Sequence, residues 1–174
     1  MSEVVLRIGG AQDVTAAIAT WRRSSTARRG GCSPTVEREE QVHAHLHTPG
    51  VVLVLAEDAG QVVGMAAGVP GLARDGAGPH EPGLFFLSLV YVTPDRWDAG
   101  IGGSLVDAIL DAARAAGYDR VHLWTHRDHN DRAQRLYEGR SFRWSGVEKR
   151  DEAGESIIRY ERHLTDAEGA TRKC

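Results

Sequence analysis

LFFLSLVYV (residues 84–92), TPDRWDAG (93–100) and IGGSLVDAILDAARAA (101–116) together form the stretch that decides the fold. The first part is almost entirely apolar, which predicts a central strand that Pro94 ends. In the third part apolar residues recur at helical spacing and Gly117 follows, which predicts a helix with a glycine stop. The stretch is therefore a strand, a glycine-rich turn and a helix in succession.

Strands and helices alternate on both sides of this unit. Before it we predict a strand over 4–8, helices over 11–24 and 34–46, and a hairpin of strands over 51–56 and 61–69. After it we predict a strand over 120–125, a helix over 130–140 with Asn130 as N-cap, and a hairpin over 142–149 and 156–163. Residues 70–83, rich in glycine and proline, are expected to form a long loop. The pattern predicts one α/β domain over residues 1–164 and a polar, disordered tail over 165–174.

The composition excludes several classes of protein. The chain has 174 residues, of which 41% are apolar and 26% charged, and its net charge is −3 with neutral histidines. This charge gives no basic field for nucleic acid, and no apolar run reaches the roughly 20 residues that a membrane helix needs. Two cysteines, Cys32 and Cys174, do not make a disulfide framework, and the first residues lack the pattern of a secretory signal. We therefore expect a cytoplasmic protein without nucleic-acid or membrane partners.

The glycine-rich turn suits an anion. A helix N-terminus offers unpaired N–H groups and about half a positive charge, and Gly100, Gly102 and Gly103 let a phosphate approach the backbone. A Rossmann fingerprint that starts at Gly100 needs glycine at position 105, which is Leu105, and a P-loop needs a Gly-Lys-Ser/Thr sequence that the chain lacks. A turn without any ligand stays open as the alternative.

Two motifs carry a family resemblance. VTPDRWDAGIGGSL (92–105) resembles the acyl-CoA-binding motif of the GNAT superfamily of N-acetyltransferases, Gln/Arg-x-x-Gly-x-Gly/Ala after a V-x-P strand end. Trp97 stands where Gln or Arg is usual, and Asp98 where Gly is frequent. NDRAQRLYEGRSF (130–142) resembles the family's second motif, N-x-x-A-x-x-L-Y-E-x-x-G-F, with Ser141 in place of glycine. The two motifs in this order are far more specific than either one alone.

The resemblance implies an acyl-CoA N-acyltransferase fold, with a central mixed, mostly antiparallel sheet, a splayed strand pair and about four flanking helices. It implies acetyl-CoA as co-substrate, its pantetheine arm between the splayed strands, and no metal. The acceptor is expected to be a small-molecule or peptide amine, with a homodimer left open. The residues expected to contact acetyl-CoA are Val90, Tyr91, Val92, Trp97, Asp98, Ala99, Gly100, Ile101, Gly102, Gly103, Asn130, Ala133 and Tyr137.

Acetylation of an amine needs a base for the amine and a proton donor for the departing thiolate. By resemblance Tyr137 is the donor, with packing as its alternative role. Ser88 stands where many family members have Glu, and no serine–histidine pair is legible in the sequence. Glu57, His126, His80 and Glu81 are the other candidates for the base. The predicted reaction is direct attack in a ternary complex; a non-catalytic acyl-CoA-binding module and a transferase of a longer acyl group are the alternatives.

Other polar and aromatic features receive structural roles. The HxHxH sequence is expected to form an exposed face rather than a metal site. An arginine cluster is expected to be a solvated helix end, with an acidic substrate as the alternative, and three tryptophans are expected in the core. Loop 70–83 is expected to cover the amine pocket. The HxHxH sequence consists of His43, His45 and His47. The arginine cluster consists of Arg22, Arg23, Arg28 and Arg29, and the three tryptophans are Trp21, Trp124 and Trp144.

Overall fold

The computed structural model describes residues 3–164 and confirms the predicted α/β fold. Its strands are β1 (Val5–Ile8), β2 (Val52–Asp58), β3 (Gln61–Leu72), β4 (His80–Val92), β5 (Arg120–His126), β6 (Arg143–Arg150) and β7 (Ser156–His163). Its helices are α1 (Val14–Arg28), α2 (Val36–Leu46), α3 (Ile101–Ala115) and α4 (Asp131–Glu138), with short 3-10 turns at Ala11–Asp13, Arg74–Gly76 and Pro94–Arg96. The predicted tail, 165–174, lies outside the described residues. Within residues 3–164, no helix is both long enough and apolar enough to cross a bilayer.

A single seven-stranded sheet runs through the molecule in the order β1-β2-β3-β4-β5-β7-β6. All neighbouring strands pair antiparallel except β4 and β5, which are parallel. The parallel pair follows from the connection, because a helix, α3, carries the chain from the end of β4 back to the start of β5. The sheet is therefore mixed and mostly antiparallel, as predicted.

The two faces of the sheet carry separate cores. On one face α3 presents Leu105 and Ile109, both fully buried, to a cluster that reaches from β2 to β7. On the other face α1 and α2 cover strands β2 to β4, with Trp21 and Leu55 at the centre. The α3 core thus extends across both halves of the sheet, whereas the α1–α2 core covers only strands β2 to β4.

The predicted long loop over 70–83 is wrong, because β3 continues to Leu72 and β4 begins at His80. Gly71 serves packing rather than a turn, since a Cβ there would lie 2.5 Å from Leu84 Cγ. Pro70 is tolerated in the strand because the ladder between β2 and β3 ends at Val52 and Gly68, so that no partner on that side needs its missing N–H. Only residues 73–79 connect the two strands, so a long cover over an acceptor pocket does not exist.

Two smaller predictions are also corrected. Asn130 precedes α4, but its side chain donates to Thr125 Oγ1 at 2.7 Å and does not cap the helix. Trp144 is 52% exposed on β6 and is no core residue, whereas Trp21 is buried as predicted. Trp124 is half-buried, and its ring lies 4.2 Å from Lys149 Nζ.

Candidate functional site

The centre of the sheet contains an opening between β4 and β5. Their ladder joins only Leu84–Phe86 to Arg120–His122, and beyond these three pairs the strands diverge. Toward β3, by contrast, β4 stays paired as far as Val92. A bulge lies where the divergence begins, because Leu87 and Leu89 oppose the consecutive residues Gly68 and Ala67 and leave Ser88 as the extra residue. The predicted splayed strand pair is therefore present.

The free edge of β4 faces this opening. Thr93 N donates to Val63 O of β3. Backbone N–H and C=O groups of successive residues point to opposite sides of a strand, so those of Val90 and Val92 point away from β3, into the gap. One of them is already occupied, since Trp97 Nε1 donates to Val92 O at 2.8 Å. Tyr91 lies on the α1 side of the same strand, with the Arg28 guanidinium 6.0 Å from its ring centroid.

The predicted phosphate turn leads from β4 into α3. Gly100 precedes the helix with φ +79°, a left-handed conformation that glycine adopts without strain. The first bond from this residue into the helix joins Ser104 N to Gly100 O, so the preceding amides are free to meet an anion. A Cβ on Gly102 would meet only Leu136 Cδ2 at 3.6 Å and Val92 Cγ2 at 3.9 Å, so this glycine leaves a cradle open at the helix N-terminus. Ile101 is 5% exposed and anchors the turn in the core.

Gly103 has a different purpose from the one that its motif suggests. A Cβ there would lie 2.0 Å from Arg140 Nη2. The Arg140 side chain crosses the helix at this point and donates through Nε to Gly103 O at 3.1 Å and to Asp107 Oδ1 at 3.0 Å. The glycine therefore makes room for an arginine from the end of α4, and its contribution to anion binding is limited to its backbone.

A guanidinium from α4 accompanies the unusual residues of the turn. Arg132 lies 5.1 Å from the Trp97 ring centroid, and its Nη2 is 3.1 Å from Asp98 Oδ2. The carboxylate of Asp98, which a phosphate would otherwise meet unpaired, is thus neutralised. Arg132 thus cancels the charge that Asp98 adds to the turn, without a surplus positive charge in place of the usual Gln or Arg at Trp97, and it lies two residues after the Asn of the second motif. Ala99 is exposed in the same turn but does not line the groove.

The α4 side of the opening brings the residues of the second motif to the groove. Asn130, Ala133 and Tyr137 all line it, together with Leu136. Asn130 links β5 to α1. Its side-chain Oδ1 lies 3.5 Å from Arg28 Nη2, and its side-chain amide nitrogen donates to Thr125 Oγ1. The groove therefore has one wall from β4 and α1 and another from β5 and α4.

Tyr137 is 9% exposed, and its ring packs edge-on against Phe142 with a centroid distance of 5.8 Å. Burial raises the pKa of its phenol well above the ordinary value, so the hydroxyl keeps its proton at neutral pH. The neighbouring Tyr160 donates to Glu138 Oε1 at 2.8 Å, and burial together with this bond raises its pKa to about 12. Among the described residues, no side-chain or backbone acceptor bonds the Tyr137 hydroxyl, which leaves it available to a ligand.

Ser88 has a histidine partner that the sequence did not show. His45 Nε2 of α2 lies 2.5 Å from Ser88 Oγ, and the same Oγ is 3.0 Å from Ala67 O. Helical spacing could have revealed that His45 turns inward, since it lies three residues after Val42 and one before Leu46, both of them buried. His43 and His47 lie on the exposed side as expected, with ring centroids 4.5 Å apart, whereas the expected exposure is wrong for His45.

The other candidates for the base lie apart from one another. His126 lines the far end of the groove, where its Nε2 is 3.1 Å from Asp151 Oδ2 and 3.2 Å from Glu155 Oε2. Glu57 lies outside the groove, in an ion pair with Arg7 at 2.7 Å. His80 is exposed at the start of β4, and Glu81 pairs with Arg120 at 2.7 Å. Only Ser88, with His45, lies at the point where β4 and β5 separate.

The predicted arginine cluster divides between two roles. Arg22 pairs with Glu39 of α2, and Arg23 lies 3.3 Å from Asp95, so these two tie α1 to its neighbours. Arg28 and Arg29 line the groove. The end of α1 is therefore part of the site rather than only a solvated helix end.

Comparison with known proteins gives a consistent result. The model of the acetyltransferase (GNAT) family matches residues 16–142. The sequence matches no curated protein. Among solved structures, a GNAT-family protein from Desulfovibrio desulfuricans aligns with a TM-score of 0.73 at 19% identity, covering 93% of this chain and 99% of the other.

Two further structures are similar in fold. A Salmonella typhimurium protein solved with its cofactor acetyl-CoA has a TM-score of 0.71 at 18% identity and covers 99% of this chain and 100% of its own. The ribosomal-protein-S18-alanine N-acetyltransferase of Escherichia coli has a TM-score of 0.72 at 15% identity, with coverage of 98% and 100%. At these identities the likeness concerns the fold alone.

Proposed function

The chain belongs to the GNAT family of acetyltransferases, and from this premise we propose that it transfers the acetyl group of acetyl-CoA to a primary amine by direct attack in a ternary complex. The observation that carries the proposal is the opening between β4 and β5, which the free edge of β4, the N-terminus of α3 and the Tyr137 ring all line. A thioester held there would have a backbone edge on one side and a proton donor on the other.

We assign the pyrophosphate of acetyl-CoA to the N-terminus of α3. Free amides at the first turn, the open space at Gly102 and the guanidinium of Arg132 suit a doubly charged group. The pantetheine arm then runs back along β4 and pairs with Val90 and with the N–H of Val92, as an added strand would. The Val92 carbonyl takes no part, because Trp97 already donates to it.

Tyr137 is assigned as the proton donor to the departing CoA thiolate. Its hydroxyl is protonated at neutral pH, has no partner among the described residues and faces the groove. Tyr160, whose ring centroid lies 6.5 Å from that of Tyr137, is occupied by Glu138. Because the phenol stays protonated until the thiolate forms beside it, it can give that thiolate a proton as the C–S bond breaks.

The acceptor amine is assigned to the end of the groove near His126. Carboxylates of Asp151 and Glu155 converge there, and Glu148 and Glu152 line the same end. Arg127, Lys149 and Arg150 line this end as well, and Arg127 pairs with Glu148 at 2.8 Å. The carboxylates of Asp151, Glu152 and Glu155 are therefore the groups that would attract an ammonium ion. A small-molecule or a peptide amine would both fit this polarity.

The test is release of CoA thiol from acetyl-CoA across a panel of a polyamine, an aminoglycoside, a lysine-containing peptide and a peptide with a free N-terminal alanine. We expect amine-dependent thiol release with at least one class, and acetylated product by mass spectrometry. Binding of acetyl-CoA with no product from any amine would instead favour a non-catalytic acyl-CoA-binding module.

A further inference from the structure

The contact between His45 and Ser88 joins two elements that are 43 residues apart in the chain. His45 Nε2 lies 2.5 Å from Ser88 Oγ, and both side chains are half-buried. No other described histidine has a hydroxyl as hydrogen-bond partner. A serine hydroxyl bonded to an imidazole nitrogen can pass to that nitrogen a proton from a group that reaches the hydroxyl.

Ser88 lies at the level that a bound thioester would reach. The strand advances about 3.4 Å per residue, so the step from Val90 to Ser88 moves about 7 Å from the α3 turn toward the apex of the opening. A pantetheine arm whose amides pair with Val92 and Val90 therefore brings its next group, the thioester, to Ser88. As the extra residue of a bulge, Ser88 has its position fixed by the backbone of β3 and β4.

The two reacting ends lie on opposite faces of the sheet. Ser88 faces α2 through its contact with His45, whereas Tyr137 belongs to the core on the α3 side. An amine that attacks from the α2 face and a sulfur that departs toward Tyr137 would follow opposite directions at the carbonyl carbon. The arrangement gives each proton transfer its own partner.

We propose that His45 is the base of the reaction and that it takes the proton of the acceptor through the hydroxyl of Ser88; this inference rests on the function proposed above. The acceptor arrives as an ammonium ion, and one N–H proton passes to Ser88 Oγ while the Ser88 proton passes to His45 Nε2. The free amine forms the C–N bond, the tetrahedral intermediate collapses, and the C–S bond breaks. A second N–H proton leaves the new amide nitrogen to solvent, and the thiolate takes one proton from Tyr137. Solvent then returns a proton to the Tyr137 phenolate and takes the proton that His45 holds.

His45 is suited to this task by its surroundings. Burial, helped by the charge of Arg38 on the same helix, lowers the pKa of His45 below its ordinary value, so the ring is neutral at pH 7. On the β4 side Phe86 meets it edge-on, and His122 of β5 lies behind the Phe86 ring. The relay requires the proton of neutral His45 on Nδ1, with Nε2 as acceptor. The Ser88 hydroxyl then donates to His45 Nε2 during the relay. In the other arrangement of its proton it donates to Ala67 O.

The experiment compares wild type with His45→Gln and Ser88→Ala, using the most active amine of the panel, from pH 5.5 to the pH at which that amine is itself uncharged. We expect kcat/KM at pH 7 to fall about 100-fold in both variants, the lower end of what a general base contributes. The defect should shrink as pH rises, because an amine that arrives without its proton needs no base. The double variant should be no slower than either single variant, since both act in one relay. His47→Gln, two residues away on the exposed side, is the control and should match wild type.

Folding is checked separately, by the melting temperature and its shift with CoA, which both variants should retain. Rates within threefold of wild type at pH 7, or a defect of equal size at every pH, would overturn the relay and leave the pair a structural contact. An acetyl group found on Ser88 after incubation with acetyl-CoA alone would also overturn it, because Ser88 would then be a nucleophile. Wild type that binds acetyl-CoA and acetylates no amine would overturn the proposed function itself and the relay with it.

Discussion

Gly102→Val should abolish binding of CoA while it leaves the fold intact. A Cβ at this position meets only Leu136 at 3.6 Å and Val92 at 3.9 Å, which are ordinary contacts, so the Cβ of the new residue fits the protein without ligand. Valine is also about half a kcal/mol better than glycine within a helix. Its two methyl groups, however, would occupy the space in front of the free amides of α3, where a phosphate must approach.

The size of the effect follows from mass action. Ligand at a hundredfold excess over Kd stabilises the folded protein by about 2.7 kcal/mol. In a domain of this length each kcal/mol moves the melting temperature by about 2–4 °C, so wild type should gain about 5–11 °C. Gly102→Val should gain none, and without CoA it should melt within about 2 °C of wild type.

Gly103→Ala is the matched control, one residue further along the helix. Its Cβ would lie 2.0 Å from Arg140 Nη2, so the arginine must swing away and lose its bonds to Gly103 O and Asp107. We expect a loss of about 1 kcal/mol without CoA, and an undiminished shift with it. Differential scanning fluorimetry of the three proteins, each with and without CoA, measures all six melting temperatures. A full CoA shift in Gly102→Val would refute the assignment of the pyrophosphate to the start of α3.

Three further outcomes are expected. Tyr137→Phe should lower kcat by about 100-fold with unchanged CoA affinity, whereas Tyr160→Phe, which loses only a bond to Glu138, should keep kcat; a fall of less than threefold in Tyr137→Phe would assign the ring to packing. Arg132→Gln should weaken CoA binding about tenfold, measured by calorimetry, and more strongly at low salt than at high salt. Arg96→Ala leaves the buried carboxylate of Asp58 without its ion-pair partner and should cost about 3 kcal/mol in urea unfolding, part of which Asp58→Asn in the same chain should restore.

Local patterns were sufficient for most of the fold. The apolar run of β4, the helical spacing of α3 and the turn between them are visible within a single window of sequence. The loop expected over 70–83 failed because glycine and proline were interpreted as turn residues. Gly71 is instead required by the close approach of Leu84, and Pro70 lies where β3 has no second neighbour. Both reasons depend on strands that are distant in sequence, and no local pattern contains them.

The main chain of the candidate site was easier to predict than its side-chain contacts, and binding of acetyl-CoA there stays a prediction. The groove residues of the two motifs lie together as the resemblance implied, because motif positions and the strand–turn–helix unit fix the main chain. Arg132 and His45 were not recognised, although each compensates for a departure from the motif nearby. Their contacts with Trp97 and Ser88 join residues 35 and 43 positions apart, a distance at which the sequence gives no direct signal.

The short parallel ladder between β4 and β5 also has a consequence for the local opening of the sheet in solution. Strands β1–β4 are joined to strands β5–β7 by three residue pairs, the α3 core and a few polar contacts such as that of Arg120 with Glu81, because the α1–α2 core stops at β4. Within each half all neighbouring strands pair antiparallel, so each half is a natural cooperative unit of opening. Amides of β5 should therefore exchange with solvent hydrogen faster than those of β3. A ligand that bridges the two halves should slow exchange far beyond the residues it touches, so that the occupied protein opens as one unit where the free protein opens as two.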